Sequence, residues 1–230
     1  MKKSIFALLF FSLTVYSCKK METEKSTTIL EDNGCVERAN ISVNDHSGFR
    51  IENTSISIIN SLFQTNGINN TKFRYYFFDT DSVQTYFAPF TKYGQKIIRI
   101  NQFTNGLEIF TSGIVFSFWN DNFKYRNGEL TNGTILNSTP TLTIGQIRTL
   151  FLGHIQQFDQ KANQYKDSCF SAQFGYFNLN AGTSNSTENL IKAWKVTLKN
   201  RVYPSEIPIA YYKDDNGNLI YYDNGLRTFR

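Results

Sequence analysis

From Ile51 onward the hydrophobic positions recur with two periods, one helical and one strand-like. In 54-TSISIINSLFQTNG-67 the apolar residues Ile56, Ile59, Leu62 and Phe63 fall at helical spacing. Thr54 or Ser55 can serve as cap and Gly67 as stop, so the segment predicts a helix. The aromatic run 72-KFRYYFFDT-80 predicts a strand, followed by a polar, Pro-containing link through Pro89 and a second strand over 95-QKIIRINQF-103. Asn105-Gly106 is a strong hairpin signal. The returning strand is 107-LEIFTSGIVFSFW-119, in which Gly113 marks a bulge or bend. Lys124 to Asn137 reads as a turn-rich edge.

The second half repeats the order. In 141-TLTIGQIRTLFLGHIQQF-158, Ile144, Ile147, Phe151, Ile155 and Phe158 form one apolar stripe, and Thr143 with Gln146 has capping-box spacing. Strands follow at 172-AQFGYFNL-179 and 189-NLIKAWKVTLK-199, then two short strands around Asn216-Gly217. Each half is thus expected to be a helix followed by antiparallel strands, an α+β fold made of two successive helix-plus-antiparallel-sheet units. Each helix covers one sheet face. The other face, rich in Tyr and Phe, is left partly solvated and open to a partner.

Composition adds a compartment and removes one class of partner. The chain has 21 Phe and 13 Tyr, suited to a substantial sheet core. Its net charge is +5, with the charges scattered and no long basic run, which argues against a nucleic-acid surface. Lys2 and Lys3 precede a mostly apolar stretch, Ile5 to Val15, too short to span a bilayer and suited to a signal peptide. Val15-Tyr16-Ser17-Cys18 then resembles the lipobox of bacterial lipoproteins. The resemblance implies cleavage before Cys18 and acylation, palmitate-type chains included, of its sulfur and new amino group. An ordinary secretory peptide with a chance cysteine is the other reading. Lys19 stands where aspartate marks inner-membrane retention in that family, which favours the outer membrane. The expected layout is a signal peptide over 1–17 and a lipid-anchored flexible tether over 18–34, with folded units over 35–138 and 139–230. An oxidising compartment permits Cys35 and Cys169 to pair, closing a loop of roughly 135 residues. Two separate buried thiols are the alternative.

The run 99-RINQFTNGLEIFTSGIVFSF-118 resembles the heart of the fungalysin/thermolysin propeptide (FTP) motif through Gln102, Phe103, Asn105, Gly106, Leu107, Ile109, Phe110 and Gly113. Glu108 stands where proline is common in that family. The second half resembles a PepSY domain, with a Thr-capped helix, the Trp-containing strand 193-AWKVTL-198 and a hairpin about Gly217. There Lys213-Asp214-Asp215 replaces the usual Asp-Ala pair. The resemblance implies two cystatin-like/PepSY-like units of the kind that helps secreted metallopeptidases fold and holds them inactive. With the chain ending at Arg230, the expectation is a stand-alone module without a catalytic domain.

Reactive groups are sparse. His46 and His154 are the two histidines, and neither lies in an HExxH pattern, so no zinc-ligand spacing is present. Cys169 invites comparison with a Cys/His dyad but has no nucleophile signature around it. Asp214, Asp215, Asn216, Gly217 and Asp223 imitate a calcium loop, yet Tyr212 would take its first ligand position, and a hairpin turn is the stronger reading. Asp81-Ser82-Val83 resembles an O-glycosylation acceptor of exported bacterial proteins; a plain exposed loop is the alternative. No catalytic residue, metal ligand or cofactor is therefore expected. The expected protein is a membrane-anchored, non-catalytic envelope lipoprotein that binds or inhibits a secreted metallopeptidase or another envelope protein. The hairpin residues Phe103, Leu107, Ile109 and Phe110 are its candidate contact. The alternative is a structural or ligand-binding envelope lipoprotein with no peptidase partner.

Overall fold

The computed structural model describes residues 34–46, 49, 51–133, 135–158, 169–183, 187–199 and 208–224. Along the chain these form β1 (Val36–Ala39), α1 (Asn53–Thr65), β2 (Phe73–Gln84), β3 (Lys92–Thr104), β4 (Leu107–Glu108), β5 (Ile114–Trp119) and β6 (Asn122–Asn127). Then follow α2 (Ile144–Phe158), β7 (Phe170–Asn178), β8 (Leu190–Leu198), β9 (Ile209–Lys213) and β10 (Leu219–Asp223). The expected signal peptide, Cys18 and all of the expected tether but Gly34 lie outside the described residues.

Two five-stranded sheets carry the fold. One runs β2-β3-β5-β6 with β4 paired to β3, and the other runs β1-β7-β8-β9-β10. The expected α+β fold of two successive helix-plus-antiparallel-sheet units is corrected by this arrangement. Strand makes up 43% of the described residues and helix 17%, so the described fold is mainly β. Hydrophobic period locates elements one at a time and is blind to how they pair. β2 and β3 extend well past their aromatic cores, β6 forms where turns were expected, and β1, which precedes the first sheet in the chain, pairs in parallel with β7 of the second.

The helices sit where their stripes predict. Ile59, Leu62 and Phe63 of α1 are buried against the β3 sheet, where the Phe63 ring lies 5.0 Å from Phe116 and 5.8 Å from both Phe73 and Phe118. The α1 N-cap is Glu52, without a side-chain cap bond, and Gly67 takes φ +67° just past the helix. Asn66 bridges the end of α1 to β6, donating to Asp121 O and accepting from the Phe123 N–H. At α2 the capping box forms: the Thr143 N–H donates to Gln146 Oε1 at 2.9 Å, and the Gln146 N–H to Thr143 Oγ1 at 3.2 Å. Ile147, Phe151 and Ile155 then pack on Phe170, Ala172, Trp194 and Val196.

The returning strand is not continuous. Asn105 and Gly106 both take positive φ, 49° and 75°, as a two-residue hairpin turn demands. β4 pairs with β3 for two residues only, after which the chain leaves the ladder and rejoins it at Ile114, opposite Ile100. In between it runs beside β7. Ile109 bridges Tyr176 in parallel, the Phe110 N–H donates to Tyr176 O at 2.9 Å, and the Asn178 N–H donates to Thr111 Oγ1. β1 covers β7 only as far as Gln173, so residues 109–111 take the next stretch of the same edge. Gly175 makes this approach possible: a Cβ there would lie 2.5 Å from Glu108 O.

Cys35 and Cys169 are joined by a disulfide that pins the start of β1 to the start of β7, with Cα atoms 4.7 Å apart. The bridge spans 134 positions, a loop whose closure stabilises the fold by up to about 5 kcal/mol in the chain-entropy account. The double variant Cys35→Ser, Cys169→Ser is expected to lose about 2–5 kcal/mol in urea unfolding. Unchanged stability would show that β1 is held by strand pairing alone.

Candidate functional site

The expected contact hairpin lies inside the molecule. Phe103 and Ile109 are buried, Leu107 packs on the α2 core, and Phe110 meets the Tyr211 ring at 5.5 Å. Leu107 and Phe110 remain half-buried, so the hairpin offers a partner little surface, and larger exposed features lie elsewhere.

What the hairpin does instead is centred on Glu108. Its buried carboxylate accepts from Asn101 Nδ2 at 2.6 Å and from Gln173 Nε2 at 2.8 Å, and Arg74 Nη1 lies 3.9 Å away. These partners come from β3, β7 and β2, so one side chain ties both sheets together. Arg74 in turn donates to Asp45 O and covers the Phe49 ring at 4.4 Å. Burial lowers the Arg74 pKa, and the nearby Glu108 and Asp45 only partly offset it. Beyond Glu108, Ser112 receives the Gln102 N–H and donates to Ile109 O, and the Gln102 amide pairs with the backbone of Thr131. The residues that turn the chain out of its ladder are thereby satisfied as polar groups.

The remaining candidates resolve into structural roles. His154 Nδ1 lies 3.2 Å from the Tyr212 hydroxyl, with the rings stacked, and His46 Nδ1 lies 3.1 Å from Tyr75 O. Ser82 is exposed within β2, opposite Gly94. The calcium-like cluster is a hairpin turn with Gly217 at φ +71°, and its first carboxylate points inward. Asp214 is fully buried. It accepts from the Thr141 and Leu142 N–H groups, from Trp194 Nε1 at 2.8 Å and from Lys192 Nζ at 3.1 Å. It thus fastens the β9–β10 turn to β8 and to the entry of α2. Among the described residues no group of three or more His, Cys, Asp or Glu is placed to hold a metal ion, and no helix is long and apolar enough to cross a membrane.

Two surface features adjoin the Glu108 joint among the described residues. The first is the face of the β3 sheet turned away from α1. Strand register puts Phe77 and Val83 of β2, Tyr93, Ile97 and Arg99 of β3, Val115 and Trp119 of β5, and Tyr125 of β6 on that face. Tyr93 stacks on Trp119 at 5.2 Å, Lys124 lies over the Trp119 ring at 4.8 Å, and Arg99 covers Phe77 at 4.8 Å. Most of these side chains are half-buried by one another, and Phe77 and Tyr125 are exposed. β6 forms the free edge beside them and is exposed along its whole length. The second feature is a polar cleft of about 880 Å³ between the sheets, lined by Arg126, Asn127, Thr131, Asn178, Asn180 and Glu188 among others. The Phe and Tyr surplus signals the first feature in the sequence. The second draws on residues far apart in the chain and has no local signal.

Asp214 gives a pH test. Burial alone would raise its pKa, but the bonds from Leu142, Trp194, Thr141 and Lys192 outweigh it and hold the carboxyl below the ordinary 3.8. Its stabilising contribution is therefore complete above the unfolded-state pKa, near 3.9, and is lost as pH falls through the lower folded value. Asp214→Asn is expected to cost about 3–5 kcal/mol at pH 7. It should also flatten the loss of stability below about pH 4, measured by urea unfolding across pH; an unchanged acid limb in the variant contradicts this. No protein-family model matches the chain, and no curated protein matches it.

Proposed function

We propose that this chain is a lipid-anchored, non-catalytic protein of the bacterial cell envelope. In this reading it is held at the outer membrane through Cys18 and binds a protein partner across the open face of the β3 sheet. The observation that carries the reading is the aromatic and aliphatic ladder around Trp119, continuous with the exposed edge β6. Tyr, Trp and Arg on a rigid sheet lose little freedom on binding and are the residue types that dominate interface energetics. A free strand edge adds backbone pairing, and neighbouring side chains add selectivity. The commitment of both histidines to neighbours, and of Cys35 and Cys169 to a bridge, supports a role by contact.

The resemblance to peptidase propeptides supplies the partner class, a secreted metallopeptidase held by occupation of its cleft. The full chain, added to metallopeptidases secreted by its own organism, is expected to slow one of them reversibly. Trp119→Ala should weaken that effect at least about tenfold, as loss of a central aromatic anchor does. Unchanged peptidase rates at micromolar excess overturn the peptidase reading. The polar cleft favours a second reading, a ligand-binding envelope lipoprotein with no peptidase partner. It is distinguished by a small polar molecule that co-purifies with the chain and is lost on Asn178→Leu.

A further inference from the structure

We propose that the tip of the β2–β3 hairpin, residues 85–91, enters the interfacial layer of a lipid bilayer and gives the protein a second membrane contact. This rests on the lipid-anchored reading above. The tip carries Tyr86, Phe87 and Phe90 at 91%, 84% and 65% exposure, with Ala88 and Pro89 between them. From Thr85 to Thr91 there is no charged residue. Five consecutive apolar residues on a projecting loop are a liability in water unless something covers them.

The two threonines close the base of the loop and answer part of its backbone. The Thr85 N–H donates to Thr91 O and the Thr91 N–H to Thr85 Oγ1, while Thr85 Oγ1 lies 3.1 Å from Pro89 O and 3.3 Å from Phe87 O. The Thr91 hydroxyl also bonds Pro89 O. The groups so paired can leave bulk water without being stranded, and the other backbone groups of 86–90 keep the water of the headgroup layer, so the contact is interfacial and not a deep insertion. A protein interface surrounds its apolar core with a polar rim, and between Thr85 and Thr91 the only polar side-chain atom is the Tyr86 hydroxyl.

Charge falls in the order a membrane surface requires. Lys92 is exposed at the base of the tip, opposite Gln84, where it meets anionic headgroups. The acidic Asp81 and Asp79 lie further down β2, Asp81 three positions below Gln84, or about 10 Å at strand rise. They stay in water when the aromatics reach headgroup level, where Tyr and related rings are enriched. Reach is also suitable: the segment from Cys18 to Gly34 can span at most about 55 Å, which keeps the folded body beside the bilayer. The acyl chains on Cys18 tether the protein to the bilayer, and the tip adds a separate contact through the folded body.

The test uses the mature chain from position 18 with Cys18→Ser, so that binding owes nothing to acylation. Ala88→Cys then provides a single free thiol for an environment-sensitive dye, since Cys35 and Cys169 are bridged. Added to phosphatidylethanolamine/phosphatidylglycerol vesicles, the dye is expected to shift to the blue and the chain to float with the lipid. Phe87→Ser with Phe90→Ser should reduce flotation at least tenfold, and Phe87→Trp should preserve it. An unshifted dye, or flotation equal in the serine variant and its parent, overturns the proposal. So does a shift seen only with an added protein, which would assign the tip to a protein partner. Acylation of Cys18 is read separately, by incorporation of a palmitate analogue in cells, so failure of the anchor and failure of the tip are distinguishable.

Discussion

The carboxylate of Glu108 is the point on which the two sheets depend. A buried charge is tolerated only when its surroundings answer it, and removing one partner of such a group typically costs about 3–5 kcal/mol. Here the answers come from Arg74, Asn101 and Gln173, on three strands that are distant in sequence and belong to both sheets. A small displacement of one sheet against the other would break these bonds in a low-dielectric site. The network therefore fixes relative position as well as cohesion. Gly175 lets the 108–110 backbone come close enough, and Ser112 with Gln102 satisfies the polar groups that the departure from the ladder exposes.

That joint determines what remains outside. The hairpin that is chemically empty in the sequence is consumed in holding the sheets together. Among the described residues it leaves the open face around Trp119, the edge β6, the polar cleft and the aromatic tip as the surfaces on offer. The open face and the edge β6 sit on paired strands and lose little freedom on binding, whereas the cleft and the tip are built mainly from loops. The disulfide and Asp214 perform the equivalent task at the other sheet, pinning β1 to β7 and the β9–β10 turn to α2.

Local signals were legible wherever a short-range rule decides the outcome. The stripes of Ile59, Leu62 and Phe63 and of Ile147, Phe151 and Ile155 located both helices. Asn105-Gly106 located its turn, and Thr143 with Gln146 the cap of α2. Pairing was not legible, because it depends on partners far along the chain. β1 is only four residues long and owes its place to β7 and to the bridge. Ile109 and Phe110 continue an apolar run that reads as strand; only the proximity of Tyr176 shows that they leave the ladder. Glu108 and Asp214 look like surface acids in any local window and are buried because several donors converge on them. The stretch through Pro89 reads as a polar link, yet three of its aromatics stand in solvent, since nothing local distinguishes a covered aromatic from an exposed one.

The claim that the Glu108 joint makes one body of two sheets can be measured without mutation. The chain has two tryptophans, Trp119 in β5 and Trp194 in β8, one in each sheet. Fluorine NMR of 5-fluorotryptophan-labelled protein follows both resonances through a urea titration. The account predicts coincident midpoints for the two signals, the mark of a single cooperative transition. Two separated midpoints, with one sheet melting while the other stays folded, would contradict it.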